Sequence, residues 1–156
     1  MRRRARAVLT RDQVDDEFMP IYDQYGLGIM CYSPLAGGVL TGKYSALASE
    51  GADANSRFNA RGNLPTEKIE TADKLRPFCE ALGCEMAPLA LAWALANPHI
   101  STLIAGATKL SQFESNMKCF DVLPKLTPEV MAKIDEAIGT KPTRNPAYGF
   151  GVMAHL

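Results

Sequence analysis

A chain of 156 residues with 47% apolar and 22% charged side chains has the size and composition of one soluble globular domain and can enclose a core. Its 17 Lys plus Arg balance 17 Asp plus Glu, so the formal net charge is zero, and no electrostatic pull draws it to nucleic acid or an acidic membrane surface. No apolar run approaches the ~18–20 residues of a spanning helix.

The opening Met1-Arg2-Arg3-Arg4-Ala5-Arg6 is basic and followed only by the short apolar Ala7-Val8-Leu9. That stretch is too brief for a signal peptide, and Asp12, Asp15, Asp16 and Glu17 arrive too soon for an acid-poor transit sequence. Residues 1–10 are therefore expected to be a disordered basic end. Val14, Phe18, Ile21, Tyr22 and Tyr25 fall on one helical face closed by Gly26, although Pro20 lies inside the span. Gly28 to Ser33 is a short, largely apolar run stopped by Pro34, which predicts a buried strand. Residues 35–65 lack periodicity and read as a long loop, of the kind that is a lid, a binding loop or disordered.

Thr66 as cap, Glu67 in the first turn and Gly83 after the last predict a helix with Ile69, Leu75, Phe78, Cys79 and Leu82 on its apolar side. Met86 to Ala96 is apolar nearly all round, which predicts a fully buried helix with Trp93 in the core. Thr102 to Ala107 predicts a second buried strand, and Ser111 to Phe120 a further helix. Thr127 as cap, Pro128 at the first position and Glu129 open a last helix that Gly139 closes, with Val130, Met131, Ile134, Ala137 and Ile138 on its apolar face. Residues 143–156 are expected to be a loose tail. Apolar strands alternating with helices predict an α/β fold with a parallel sheet. Two such strands alone leave edges and faces open, so the architecture reads as part of something larger.

Four cysteines, Cys31, Cys79, Cys84 and Cys119, form no C-x-x-C pair, and His99 and His155 stand at no ligand spacing from them. No metal site is expected; Cys31 and Cys119 read as core, and reduced thiols imply a cytoplasmic location. Gly37-Gly38-Val39-Leu40-Thr41-Gly42-Lys43-Tyr44 nearly matches the phosphate loop G-x-x-x-x-G-K-[ST]. Tyr44 stands where that motif needs a small hydroxyl for Mg²⁺, and more loop follows where a helix should begin. Gly106-Ala107-Thr108-Lys109, between a strand and a helix, could offer backbone N–H groups to a phosphate. His99 follows Asn97-Pro98 in a turn with no visible partner for acid–base work, and the acidic pairs Asp15-Asp16 and Asp135-Glu136 read as solvated helix faces.

Several of these segments together resemble the aldo-keto reductases. Gly26-Leu27-Gly28-Ile29-Met30-Cys31-Tyr32-Ser33-Pro34-Leu35-Ala36-Gly37-Gly38-Val39-Leu40-Thr41-Gly42-Lys43-Tyr44 resembles a hallmark segment of that family, Leu89 to Leu95 its buried helix, and Ile104-Ala105-Gly106-Ala107-Thr108 with Gln112 and Asn116 its final strand and helix. Val122-Leu123-Pro124-Lys125-Leu126-Thr127 and Gly139-Thr140-Lys141-Pro142 are similar to the branch containing voltage-gated potassium channel beta subunits. The resemblance spans roughly residues 11–142.

It implies an incomplete (β/α)8 TIM barrel, of which residues 11–142 would supply the last two strands and their helices. Such barrels bind phosphate at the loops after strands seven and eight. The cofactor implied is NADP(H). Tyr32 would stack on the nicotinamide, while Ser33, Pro34, Leu35, Ala36 and Gly37 wrap the pyrophosphate and Lys43 pairs with a phosphate. Arg57, Thr108 and Gln112 would surround the 2′-phosphate end and Asn116 would face the adenine, with Gly106 also binding cofactor; Ser115 stands where the family often has an acidic residue. The family's catalytic Asp, Tyr, Lys and His lie on early strands with no counterpart in this sequence, so no catalytic residue is assigned. The expectation is a C-terminal part that is inactive alone, since it lacks the acid that protonates the carbonyl oxygen. Two other readings stand beside it: a channel beta-subunit-like regulator that senses cofactor and forms channel or homo-oligomer contacts, and an interaction fragment that completes another incomplete barrel.

Overall fold

The computed structural model describes residues 2–5, 11, 13–45 and 66–143. Three parallel strands form one sheet in the order β1 (Arg2–Ala5), β2 (Gly28–Tyr32), β3 (Ile100–Ile104). Between β1 and β2 lie a π-turn at Gln13–Glu17 and helix α1 (Met19–Tyr25). Between β2 and β3 come a short 3₁₀ segment at Ala36–Thr41 and helices α2 (Thr66–Asp73), α3 (Arg76–Leu82) and α4 (Met86–Leu95). After β3 follow α5 (Leu110–Met117), α6 (Cys119–Val122), a 3₁₀ turn at Leu123–Lys125 and α7 (Pro128–Ile138).

Helix α4 is the hub. Every residue from Met86 to Ala94 is buried, and the helix touches β3, α3, α5, α6 and the 3₁₀ segment after β2. Its uniformly apolar sequence makes this the only stable placement, because any face turned to water would expose Leu, Ala or Trp. On β2 the alternate residues Ile29 and Cys31 are fully buried while Met30 and Gly28 are half-covered. On β3 only Ile100 is buried and Ile104 is exposed. Parallel strands normally have both faces covered, so this sheet carries one packed face and one part-bare face.

Several expectations hold. Thr127 caps α7 by accepting the Val130 N–H, and Ile134 and Ile138 sit in the core. Gly26, Gly83 and Gly139 close their helices in the left-handed conformation. Cys31, Trp93 and Cys119 are buried.

Other expectations are corrected. The opening is not disordered throughout, since the backbone of Arg2–Ala5 pairs with Gly28–Cys31; a strand flanked by water on its edge gains from any extended neighbour, whatever that neighbour's charge. Among the described residues the sheet therefore has three strands and not two. The helix through Val14–Tyr25 divides at Phe18, and Pro20 sits in the first turn of α1, where its missing N–H costs nothing. The helix from Thr66 to Leu82 breaks at Lys74-Leu75, so that Pro77 likewise falls in the first turn of α3. β3 runs two residues earlier than Thr102, and Ala105, Gly106 and Ala107 have left the sheet and are exposed. The predicted helix from Ser111 divides into α5 and α6 near Lys118.

Of the acidic pairs expected on solvated faces, only Glu136 is exposed. Asp16 is buried, and Asp15 and Asp135 both receive the Arg11 guanidinium. A buried cation needs compensating charge, and local sequence does not show that its partners lie 4 and 124 positions away. His99 is a turn residue, and its ring stacks on Tyr22 with centroids 3.9 Å apart. Burial and the nearby Asp15 carboxylate push the Tyr22 phenol above its ordinary value.

Candidate dinucleotide site

The chain turns sharply at the C-terminal end of β2. Ser33 and Ala36 adopt φ of 48° and 50°, and Gly37 and Gly38 follow at 68° and 97°. A left-handed conformation costs a residue with a Cβ roughly 1–2 kcal/mol. Two such residues in one turn mark a backbone held against its preference, as binding segments often are. The turn is braced from within: Ala36 N–H donates to Ser33 O (2.8 Å) and Gly38 N–H to Leu35 O (2.9 Å). Thr41 Oγ1 donates to Gly38 O (2.8 Å). Val39 and Leu40 anchor the far side in the core.

Gly38 also gives the Lys43 side chain room. A Cβ there would come within 2.7 Å of Lys43 Cε, so any other residue would displace the lysine from this path, while φ of 97° is what favours glycine. Lys43 is exposed, with Nζ 4.9 Å from the Tyr44 ring centroid. Its charge is thus steered over an aromatic face above the turn. Tyr44 itself is buried, and its hydroxyl donates to Gly37 O at 3.4 Å. The position that spoils the phosphate-loop motif is here a structural pin.

The second loop leaves the sheet beside the first. In the β2–β3 register Tyr32 pairs with Ile104, so residues 33–45 and 105–110 start from neighbouring strand ends on one edge, about 4.8 Å apart. Gly106 has open space where a Cβ would stand. At the entrance to α5, Gln112 Oε1 accepts both the Thr108 N–H (2.9 Å) and the Thr108 hydroxyl (3.1 Å). A backbone N–H and a hydroxyl there converge on one acceptor oxygen.

Of the residues singled out in the sequence, Tyr32, Ser33, Ala36, Gly37, Lys43, Gly106 and Thr108 therefore belong to one edge of the sheet or the loops leaving it, and Gln112 to the first turn of α5 that follows. Pro34 is buried and Leu35 half-buried, and they support the turn from below. Asn116 does not join the exposed group: it is 5% exposed, on the covered side of α5. Arg57 lies outside the described residues. Sequence reasoning missed the brace at the loop's far end, where Ser45 Oγ and Arg76 Nε both donate to Asp73 (2.7 and 3.0 Å) and Arg76 reaches Gly42 O (3.5 Å). These are ordinary polar residues at wide spacing, and nothing local marks them.

Exposed glycine-rich backbone, one steered lysine, a converging N–H and hydroxyl, and a half-exposed tyrosine at a strand end suit a phosphorylated ligand with a flat ring. Among the described residues no three His, Cys, Asp or Glu side chains gather as metal ligands, and no single helix is long and apolar enough to cross a membrane.

Residues 6–139 match the family model described as Aldo/keto reductase family. The chain belongs to the aldo-keto reductase family. It is 43% identical over 148 residues to a protein of Oryza sativa subsp. japonica named probable voltage-gated potassium channel subunit beta, covering 90% of this chain and 44% of that protein. A protein of Arabidopsis thaliana with the same name is 41% identical over 145 residues, again 90% and 44%. A putative voltage-gated potassium channel subunit beta of Schizosaccharomyces pombe is 40% identical over 139 residues, 86% of this chain and 40% of that protein. The chain thus spans less than half the length of these curated relatives.

Proposed function

We propose that this chain is the NADP(H)-gripping part of an aldo-keto reductase barrel, and that its C-terminal strand edge is where the dinucleotide lies. The observation that carries the reading is the Tyr32–Ile104 pairing, which sets the strained turn after β2 and the open turn after β3 side by side. Tyr32 would offer its ring to the nicotinamide. The backbone from Ser33 to Gly37 and the Lys43 ammonium would hold phosphate oxygens, and Thr108 with Gln112 would hold the 2′-phosphate end, with Arg57 added from the intervening loop. The Gln112 oxygen now takes the N–H and hydroxyl that an anion would take, so binding exchanges one acceptor for another. Asn116 would reach an adenine only after its covered side opens.

Family members reduce carbonyls with hydride from NADPH. In this reading these residues bind and orient the cofactor, and the proton for the carbonyl oxygen comes from strands outside this sequence. These residues alone are then inactive as a reductase, and the protein is cytoplasmic. The part-bare sheet and the exposed Ile104, Leu110, Phe113, Met117 and Phe120 support an incomplete barrel, since the last four recur at helical spacing along α5 and α6 and stay exposed.

Titration of NADPH fluorescence tests the reading. Lys43 is solvent-exposed, so its phosphate contact is worth about 1 kcal/mol, and Lys43→Ala should weaken binding roughly fivefold. A tight signal that Lys43→Ala leaves unchanged would remove the site. A second reading is favoured by the names of the relatives: a beta-subunit-like regulator that senses cofactor and contacts a channel or a second copy. Co-purification with a channel would favour it. The interaction-fragment reading is separated by mixing the chain with the strands it lacks and looking for recovered reductase activity.

A further inference from the structure

The corner between α3 and α4 carries two thiols that the cofactor site does not use. Gly83 at φ 64° ends α3, its N–H bonding to Glu80 O at 3.3 Å, and the Cys84 N–H reaches back to Cys79 O at 2.9 Å. This pair of bonds is a Schellman closure, whose habit is to bring the side chains on either side of the glycine into contact. Here both of those side chains are thiols. With a 2.9 Å bond between Cys84 N and Cys79 O, standard bond lengths cap the Cα separation at about 6.8 Å, within the range of about 4.4–6.8 Å that a disulfide spans.

Both cysteines line one cavity of about 470 Å³, together with Glu85, Lys118 and Lys125. Cys79 is buried and Cys84 half-buried, so a reagent entering the cavity meets Cys84 first. The two thiols differ in acidity. Burial, with the Cys84 thiol beside it, pushes Cys79 up to about 12. Burial also raises Cys84, but the Lys125 ammonium and a hydrogen bond from Cys79 act to lower it. Both thiols are thus protonated near neutral pH, and Cys84, the half-buried one beside the Lys125 ammonium and the acceptor of the Cys79 hydrogen bond, is the one placed to attack once alkali removes its proton.

We propose that Cys79 and Cys84 are an oxidation site that reacts with a low-molecular-weight disulfide and closes to an intramolecular Cys79–Cys84 disulfide. The Cys84 thiolate attacks one sulfur of the reagent, forms a mixed disulfide and expels one thiolate, which takes up the proton Cys84 gave to solvent. Cys79 then loses its proton, attacks the Cys84 sulfur and expels the second thiolate, which is protonated in turn. Two protein thiols and one disulfide become one protein disulfide and two small thiols. The raised Cys79 makes the closing step the slower one. Cys31 and Cys119 are buried away from this cavity and stay reduced.

The test uses the full chain and oxidised glutathione in mildly alkaline buffer, followed by peptide mass mapping. The expected product has lost two hydrogens, with Cys79 joined to Cys84 and the other two thiols free. Cys79→Ser should instead accumulate a glutathione adduct on Cys84, because the closing thiol is gone, and Cys84→Ser should yield neither product. A stable adduct on the unaltered chain, preferential oxidation of Cys31 or Cys119, or a cross-link pattern identical to that in guanidinium would each overturn the proposal. The outcome is independent of NADP(H) binding.

Discussion

Replacing Arg11 by methionine keeps most of the side-chain stem and removes the charge. In the structure Arg11 Nε lies 2.5 Å from Asp15 Oδ2 and Nη1 2.6 Å from Asp135 Oδ1, with side-chain exposures of 10%, 16% and 14%. The guanidinium carbon also lies 4.6 Å from the centroid of the Trp93 ring. Removing one member of a buried ion pair costs about 3–5 kcal/mol, because the other charge stays desolvated. Here two carboxylates are left behind. Asn97 Nδ2 still donates to Asp15 Oδ1 at 2.8 Å, and Lys141 Nζ stands 3.7 Å from Asp135. Both carboxylates also keep some contact with water, so the loss should be about 2–4 kcal/mol. Urea unfolding followed by the fluorescence of Trp93, the single tryptophan, measures it. If orphaned charge is the cause, adding Asp15→Asn and Asp135→Asn to Arg11→Met should restore at least half of the loss. A cost under about 1 kcal/mol, typical of exposed pairs, would refute the reasoning, as would a triple variant no more stable than the single one.

Stability should fall in alkali. Cys79 is raised from 9.0 to about 12 in the folded chain, so between those values the folded state holds a proton that the unfolded state has released. The stabilisation is constant below about pH 9 and shrinks as pH rises toward 12. Tyr22 is raised as well and adds a slope of the same sign, so Cys79→Ala should reduce the dependence in a pH series of urea midpoints without abolishing it; an unchanged slope would contradict the assignment. The stripe of Phe113 and Phe120, 52% and 61% exposed, should bind an apolar dye such as anilinonaphthalene sulfonate. Phe113→Glu with Phe120→Glu should cut that fluorescence severalfold without lowering the unfolding midpoint by more than about 0.5 kcal/mol equivalent.

The elements most legible in the sequence are those with a local physical cause. The apolar run Met86–Leu95 has nowhere to go but the interior, and Thr127-Pro128 followed by Gly139 brackets a helix by chemistry at its ends. The breaks at Phe18 and Leu75 were hidden because the apolar stripe continues across them, and only the positions of Pro20 and Pro77 within the first turns reveal new helices. The strand at Arg2–Ala5 was hidden because its pairing depends on β2, not on its own composition. The same division runs through the site. Each loop is readable from its glycines and lysine. Their adjacency rests on the register of Tyr32 with Ile104, which local spacing does not encode, and the braces at Asp73 and Arg76 depend on the tertiary path. Asn116 shares the helical spacing of Thr108 and Gln112, yet packing of α5 covers it.

The Arg11 clasp has a temporal side. Asp15 is four positions downstream of Arg11, but Asp135 is 124 positions away. A ribosome adding about 5–20 residues each second would deliver the second carboxylate roughly 6–25 s after the arginine. During that interval the guanidinium has only one of its two carboxylate partners and α7 does not yet exist, so the growing polypeptide holds Arg11 over Trp93 by one ion pair until α7 is made. Nascent chains of this sequence should therefore depend on holding factors until α7 is made, while the residues before it are present and their second fastening is not.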